Sequence, residues 1–571
     1  MRRVFILIFT FLVSLAHLNI SAQDINYTKA IEKFCKIFPR EHISQRKIDD
    51  VISARAWTNY LNSLDFEHAY FLSSDIESFA LQKTKLDDQL LQGNIEFAFQ
   101  VYSIFKERLK ERISFIEKLL TTPPDISIPE SFNWKRDKAP WPSSGEERDE
   151  LWRKKIKNEY IQLIIPKSIP HAKTNENSYA DNDDKEKLDA NIDPLSLIIK
   201  RYKQLLTSIE DSGPDWVFQK YISAFAQAYD PHSDYMSPSE EEDFNIEMKL
   251  SLEGIGAILR SEEGAAQIVS LIPGGPAASD TSPDRLVPGD KIIAVGQENQ
   301  EMVNVLHWPL SKIVKLIRGP KGTKVMLTVI PASDPTGAST KQITLIRDEV
   351  KLEEQAAKSS VIRVKSPEGT VRLLGIITLP AFYADMQSYP KNREKIRNSA
   401  NDVANLLQEL KKRKIEGLLI DLRNNGGGSL IDAVEITGFF IHDGPIVQVA
   451  GRNITTYSDP DPSILYEGPM VVLVNRISAS ASEILVGALQ DYGRAIIIGD
   501  SRTHGKGTVQ TVLQLSERDR LGSIHVTTAI YYRISGNSPQ PKGIIPDIII
   551  PSPLDLSLIH ISEPTRLLSI S

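Results

Sequence analysis

The spacing of apolar residues changes twice along this chain, and the two changes limit the folds open to it. Ile95, Phe99, Tyr102, Phe105, Leu109, Ile113 and Ile116 recur at steps of three and four, which places them on one face of a long helix. Residues 151–163 read as a second, more charged amphipathic helix. From about Lys249 the pattern becomes short apolar runs broken by glycine turns. In the last third, residues 373–379, 417–422, 470–474 and 494–498 predict buried strands. They alternate with predicted helices at 400–412, 430–440 and 481–492, the pattern of an α/β unit with a largely parallel sheet. The polar stretch 166–194 has no period and predicts an exposed loop. With 571 residues, about four units by length, the expected class is multidomain α+β.

Composition narrows the function. Hydrophobic residues make up 41% and charged residues 25% of the chain, which excludes wholesale disorder. The net charge of −7, with both signs mixed, leaves no basic footprint for nucleic acid. The single cysteine, Cys35, cannot form an intramolecular disulfide, and the ten histidines include no HExxH; no metal and no cofactor are expected. Met1-Arg2-Arg3, the apolar run 4–15 and the small residues Ser21-Ala22 predict a signal peptide over 1–22, cleaved near Ala22. No later run reaches about 18 apolar residues, so the mature chain is expected to be exported without a membrane span.

Three segments carry candidate chemistry. Asn475-Arg476-Ile477-Ser478-Ala479-Ser480-Ala481-Ser482-Glu483 leads from a predicted strand into a predicted helix. A serine there would stand at a helix N-terminus, beside unpaired N–H groups that favour an oxyanion. Taken alone, Ser480 and Glu483 also fit a structural capping box, S-x-x-E. The segment 499–510 tempts a phosphate-loop reading but fails it. Five residues separate Gly499 from Gly505, and Gly507 stands where Ser or Thr would hold magnesium. Lys506, between two glycines, could instead enter a cleft, lose hydration and act as a neutral base; the alternative is a solvated loop lysine. Asp421 to Gly428 ends a predicted strand in a glycine turn, whose amides could serve an oxyanion or merely turn the chain.

Residues 251–257 with Gly254-Ile255-Gly256-Ala257, then Pro288-Gly289-Asp290-Lys291-Ile292, resemble a PDZ domain over about 240–332. In such domains an extended peptide adds as a strand and loop amides hold its C-terminal carboxylate; the resemblance implies this role for Gly254, Ile255, Gly256 and Ala257. With the three segments above, the order of motifs resembles the tail-specific, or C-terminal processing, serine peptidases of the S41 type, in their long periplasmic form. Arg136-Asp137-Lys138-Ala139-Pro140-Trp141 and Asp230-Pro231-His232-Ser233 belong to that resemblance. It implies a helical N-terminal domain (23–235), the PDZ domain and an α/β crotonase/ClpP-like peptidase core (340–555).

The same resemblance implies Ser480 as nucleophile, Lys506 as general base and Gln510 as the group that orients it. It implies an oxyanion hole from Ala481 with Gly426 or Gly427. Asp491 matches a proposed third member, but eleven helical residues at ~1.5 Å each set it roughly 16 Å from Ser480, so it is expected to stand outside the chemistry. His504 is expected to be a loop residue and His232 structural. Implied partners are proteins with free apolar C-termini and an adaptor lipoprotein; the implied compartment is the periplasm of a Gram-negative bacterium. A non-catalytic PDZ binding or chaperone protein is the alternative. The family pattern stops at Asp555. Residues 556–566 match the in-frame translation of a transposase-type sequencing adapter, so 556–571 are expected to be foreign and to stand in place of a C-terminal helical region.

Overall fold

The computed structural model describes residues 25–168, 193–262, 264–334, 339–385, 396–459 and 461–552. The predicted leader 1–22, the tail 556–571 and residues 169–192 of the polar stretch lie outside them. At the flanks of that stretch, helices run to Ser168 and start again at Pro194.

The first part is helical, as its spacing predicts: α1 (Tyr27–Glu41), α2 (Asp50–Leu64), α3 (Ser73–Ala80), α4 (Leu86–Leu91), α5 (Glu96–Leu119), α6 (Gly145–Ser168), α7 (Pro194–Asp211) and α8 (Pro214–Gln227). Short polar caps start several of these helices. Asp49 accepts from the amides of Val51 and Ile52 at 3.1 and 2.9 Å, satisfying donors the helix cannot. Helix α5, 24 residues long and so about 36 Å, is long enough to serve two cores. Its first half packs Phe97, Ala98, Val101 and Phe105 against α1, α2 and α8. Its second half packs Leu109, Ile113 and Ile116 against Trp152, Ile156 and Ile198. The stripe read from sequence is therefore real but too narrow, and Phe99 lies at its half-buried margin.

A short strand, β1 (Asp234–Met236), and the helix α9 (Pro238–Lys249) lead to a small β unit. It contains β2 (Ser251–Gly254), β3 (Ala257–Glu262), β4 (Ala265–Leu271), the turn of helix α10 (Pro276–Ser279), β5 (Lys291–Gln297), β6 (Val303–Asn304), α11 (Leu310–Ile317), β7 (Lys324–Ile330), β8 (Lys341–Ile346) and β9 (Asp348–Lys351). The main sheet has the order β3-β4-β5-β7-β8, and β2 pairs antiparallel with β9. The boundary read at 332 is therefore too early. Strand β8 completes the sheet and β9 closes it against β2, because Ile343 and Leu345 are needed to cover its core.

The last part carries β10 (Lys358–Lys365), β11 (Val371–Thr378), α12 (Ser399–Lys412), β12 (Gly417–Asp421), α13 (Leu430–Gly438), β13 (Gly444–Ala450), β14 (Ile454–Asp459), β15 (Met470–Val474), α14 (Ala481–Asp491), β16 (Ile496–Gly499), β17 (Thr508–Gln514), β18 (Ser523–Tyr532) and β19 (Ile548–Ile549). One sheet runs β10-β11-β12-β15-β16-β19, parallel from β11 onward. A second sheet, β1-β18-β13-β14 with β17 on β18, is antiparallel. The spacing alone does not reveal this second sheet. It joins the first and last parts of the chain: Leu515, Leu521, Ile524 and Val526 are buried in the core of the helical part, while Tyr531, further along β18, is buried in the core of the α/β part. The helical region and the α/β region, read as separate domains, share a strand.

Candidate active site

Residues 470–491 form strand, turn and helix without interruption, which fixes where the serines point. Ser478 and Ser482 are fully buried. Their hydroxyls donate to the carbonyls of Leu422 and Asn425 at 2.8 and 3.0 Å. Ser480, between them, is partly exposed at the N-terminus of α14, with φ 56° and ψ −114°. A positive φ is strained for a residue with a side chain. It is held here by the buried turns on either side.

Opposite Ser480 lies the turn after β12. Gly427 has φ 110°, and a Cβ there would come within 2.8 Å of Ser480 Cβ and 3.2 Å of the Ala481 amide nitrogen; only glycine fits so close an approach. The amides of Ala481 and Gly426 donate to no acceptor among the described residues. The Gly427 amide donates to Asn425 Oδ1 at 2.9 Å. Of the two glycines expected to offer an amide, Gly427 supplies the space and has its N–H taken, and Gly426 keeps its N–H without an acceptor among the described residues.

The second loop crosses to the first through one carboxylate. Glu483, fully buried, accepts the Ser480 amide at 2.9 Å, the Lys506 amide at 2.9 Å, the Gly505 amide at 2.8 Å and the Thr503 hydroxyl. The S-x-x-E pair thus does more than close the helix. The same group that caps α14 fixes the backbone of the lysine loop. Burial raises the pKa of Glu483, against the pull of these four donors. Tyr531 adds a second bridge, its hydroxyl 2.6 Å from the Lys506 carbonyl and 3.2 Å from that of Ser480. Gly505 has φ 90°, and a Cβ there would lie 2.5 Å from the Pro541 carbonyl oxygen, so the loop passes only as glycine.

The Lys506 ammonium has no hydrogen-bond or ion-pair partner among the described residues. Burial lowers its pKa, and the charges of Asp230 and Glu483 oppose that shift without cancelling it. A lysine placed so gives up its proton more readily than one in water. His232, His504 and His525 stand in its field. Burial, and then the Lys506 charge, lowers the pKa of His232 and His504; for His525 burial and Lys506 lower it against Asp234. His504 is exposed, and its backbone N–H meets the Ser478 carbonyl at 3.0 Å.

Gln510 lies on β17, where the pairing with β18 slips by one residue between Val509 and Gln510. Such a bulge re-aims a side chain. The Gln510 Nε2 donates to the hydroxyls of Thr508 and Thr527 at 2.8 and 3.0 Å. Asp491, at the far end of α14, pairs with Arg533 at 2.6 Å, an engagement away from the serine.

In the small β unit, the Gly254–Ala257 turn lines a groove of about 170 Å³ with Leu252, Leu259, Val314, Ile317 and Arg318. The carbonyls of Ile255 and Gly256 accept from Ala277 and Ile272 at 2.9 and 2.8 Å, whereas the amides of Ile255 and Gly256 have no acceptor among the described residues. Apolar walls with two free N–H groups at one end suit a chain terminus. Arg318 also pairs with Asp243 of α9 at 2.8 Å.

Residues 34–239 match the tail-specific protease N-terminal domain family, and residues 373–550 match peptidase family S41. The tail-specific protease of Haemophilus influenzae is 37% identical over 524 residues, covering 90% of this chain and 69% of that one. The carboxy-terminal-processing protease of Bartonella bacilliformis is 31% identical over 362 residues, covering 62% of this chain and 74% of its own. Among solved structures, the PDZ domain of a carboxy-terminal protease from Vibrio cholerae in complex with peptide is 46% identical over 18% of this chain and all of that one, at a TM-score of 0.17. A photosystem II D1 C-terminal processing protease is 25% identical, covering 61% of this chain and 86% of that one, at a TM-score of 0.33. The chain belongs to the tail-specific proteases of peptidase family S41, which are serine peptidases. No helix among the described residues is long and apolar enough to cross a membrane.

Proposed function

We propose that the protein is a periplasmic serine endopeptidase that captures proteins by free, apolar C-terminal tails and cleaves them with a Ser480–Lys506 dyad. The tail enters the Gly254–Ala257 groove of a PDZ domain spanning 240 to about 351. Cleavage takes place in a crotonase/ClpP-like core that continues to the end of the described chain. The observation that carries this reading is the Glu483 carboxylate, which holds the backbone of Ser480 and that of Lys506 at once.

Neutral Lys506 Nζ takes the proton of Ser480 Oγ as that oxygen attacks the scissile carbonyl. The oxyanion that forms meets the N–H groups of Ala481 and Gly426, aided by the positive end of α14. The Lys506 ammonium returns the proton to the leaving amine, and the C–N bond breaks to leave an ester on Ser480. A water, deprotonated by Lys506, then attacks the ester; the acid product leaves and Ser480 regains its proton. Gln510, with both Nε2 protons taken by threonines, keeps Oε1 as acceptor for the ammonium.

One experiment tests both halves. Ser480→Ala should lower turnover of a tailed substrate about 10⁶-fold, while the folded variant still binds the tail. Amidating the substrate's C-terminus should weaken capture by the unaltered enzyme. Ordinary turnover by folded Ser480→Ala would sink the catalytic half. Equal cleavage of amidated and free tails would sink the recognition half, while no turnover of any tailed substrate by the unaltered protein would favour a simple PDZ binding protein.

A further inference from the structure

The helical N-terminal region reaches the base from behind. Its α1–α2 turn and the segment after α8 both close on one residue of β18, Thr527. The Ile43 amide donates to the Thr527 carbonyl at 2.8 Å. The Thr527 amide donates to Ser233 Oγ at 3.1 Å. The Thr527 hydroxyl donates to Asp230 Oδ1 at 3.0 Å. A hydroxyl has one proton, so at 3.0 Å from Gln510 Nε2 the same oxygen accepts. The chain therefore has one direction: from Gln510 to Thr527 to Asp230.

Its far end is anchored. His42, 3% exposed, takes the Ser44 amide on Nδ1 at 3.1 Å. That acceptance leaves the ring proton on Nε2, which meets Asp230 Oδ2 at 2.9 Å. Ser233 donates to the same oxygen at 2.5 Å, and the His232 amide to Oδ1 at 2.9 Å. Every donor around Asp230 suits an ionised carboxylate. Burial alone would raise its pKa, but the bonds from His42, Ser233 and His232 outweigh that and lower it.

We propose that Asp230 and Thr527 are positioning residues for the proteolytic base. Asp230, held by His42 of the helical domain, fixes Thr527; Thr527 fixes the Gln510 carboxamide; and Gln510 then presents Oε1 to Lys506. The proposal rests on the serine–lysine reading above. It gives the helical domain a part in the chemistry: loss of its grip on β18 frees Gln510 and disorients the base even though Ser480 and Lys506 are intact.

The test uses the full chain and a substrate with a free apolar tail, with Ser480→Ala as the zero. Thr527→Val keeps the shape and removes the relay. It should lower kcat roughly 10- to 100-fold, the cost of a misplaced catalytic group, with KM within about twofold. Thr527→Ser should restore kcat. In Asp230→Asn the acid limb of kcat should move to lower pH, because a negative charge that stabilises the Lys506 ammonium is lost. The other titratable groups facing Lys506 are Glu483, His232, His504 and His525, and all of them remain in this variant. Thr527→Val at the wild-type kcat, or folded Asp230→Asn with an unmoved acid limb, would overturn the proposal while leaving the dyad standing. Turnover that survives Ser480→Ala would overturn the dyad reading and this proposal with it.

Discussion

The two halves of the proposed catalytic site are built in different ways. Ser480 stands in a continuous strand, turn and helix, β15 to α14, and its flanking serines are buried against the neighbouring turn. Lys506 stands on an irregular loop, and Gln510 on β17 opposite a bulge in β18. Their neighbours come from as far away as His42 and Asp230. The proposed nucleophile is thus aimed by one continuous segment braced on a single neighbouring turn, whereas the proposed base is aimed by the meeting of several distant segments. Glu483 belongs to both, since it caps α14 and also holds the loop of Lys506, and the Tyr531 hydroxyl bridges the same two backbones.

Substitutions can separate the two halves. The largest effect is expected at the proposed base. Lys506→Arg keeps the charge but cannot release a proton at any working pH, so kcat should fall about 10²- to 10⁴-fold. In the unaltered enzyme the rate should rise with pH through the depressed Lys506 value, below that of an ordinary lysine. An arginine variant with most of the rate would show that the site needs only positive charge.

Glu483→Gln attacks the shared group. One carboxamide oxygen cannot accept from four donors, so the variant should lose about 3 kcal/mol of stability and show a lower kcat as both segments loosen. Denaturant unfolding with activity in parallel would check this. A loss of stability with unchanged kcat would mean that the two halves are aimed independently. The pH sign follows from the raised Glu483 pKa. The folded state holds the proton more tightly than the unfolded chain, so this group's contribution to stability is full at low pH and is lost as pH rises through its folded value.

Asp491→Asn should act on stability alone. Its partly buried ion pair with Arg533 is worth about 1–3 kcal/mol when one partner is lost, and kcat should stay within about threefold below the unfolding transition. A rate loss in the folded variant would restore Asp491 to the chemistry. The smallest effect is expected at His504, a residue open to solvent on one side, whose contact to Ser478 runs through the backbone. His504→Ala should stay within about twofold of wild type; a dead variant would bring back a histidine base.

Much of this was legible in the chain because local rules are strong where a segment carries its own pattern. The helical stripe of α5, the parallel strands β11, β12, β15 and β16, and the S-x-x-E start of α14 all follow from residues close in sequence. The strands β10, β13, β14, β17 and β18 were not: β17 and β18 divide their residues between two cores, and β10 and β14 are largely exposed, so none carries a clean alternation of its own. Phe99, placed by its spacing on the helix face, lies at the margin of the core and is only partly buried. The sequence left Gly426 and Gly427 as alternative donors. The structure gives the Gly427 amide to Asn425 and leaves the free N–H to Gly426, a distinction two residues wide that no spacing encodes.

That Ser480 and Lys506 are candidate site residues came from the resemblance carried by the motif order; the sequence by itself determined the order of the segments, the helix start in the serine run and the glycine turns beside Lys506. Each of these depends on a motif whose physics is local: a helix start, a turn, a strand. Only the tertiary structure decided that one buried carboxylate serves both Ser480 and Lys506, and that β18 joins the helical part to the core. It also decided that Gln510 is held by threonines and, behind them, by Asp230 and His42. Those arrangements are hydrogen bonds between residues tens to hundreds of positions apart. A polar side chain carries no periodic signal of its partner, and it must find that partner only once burial has removed water as the alternative.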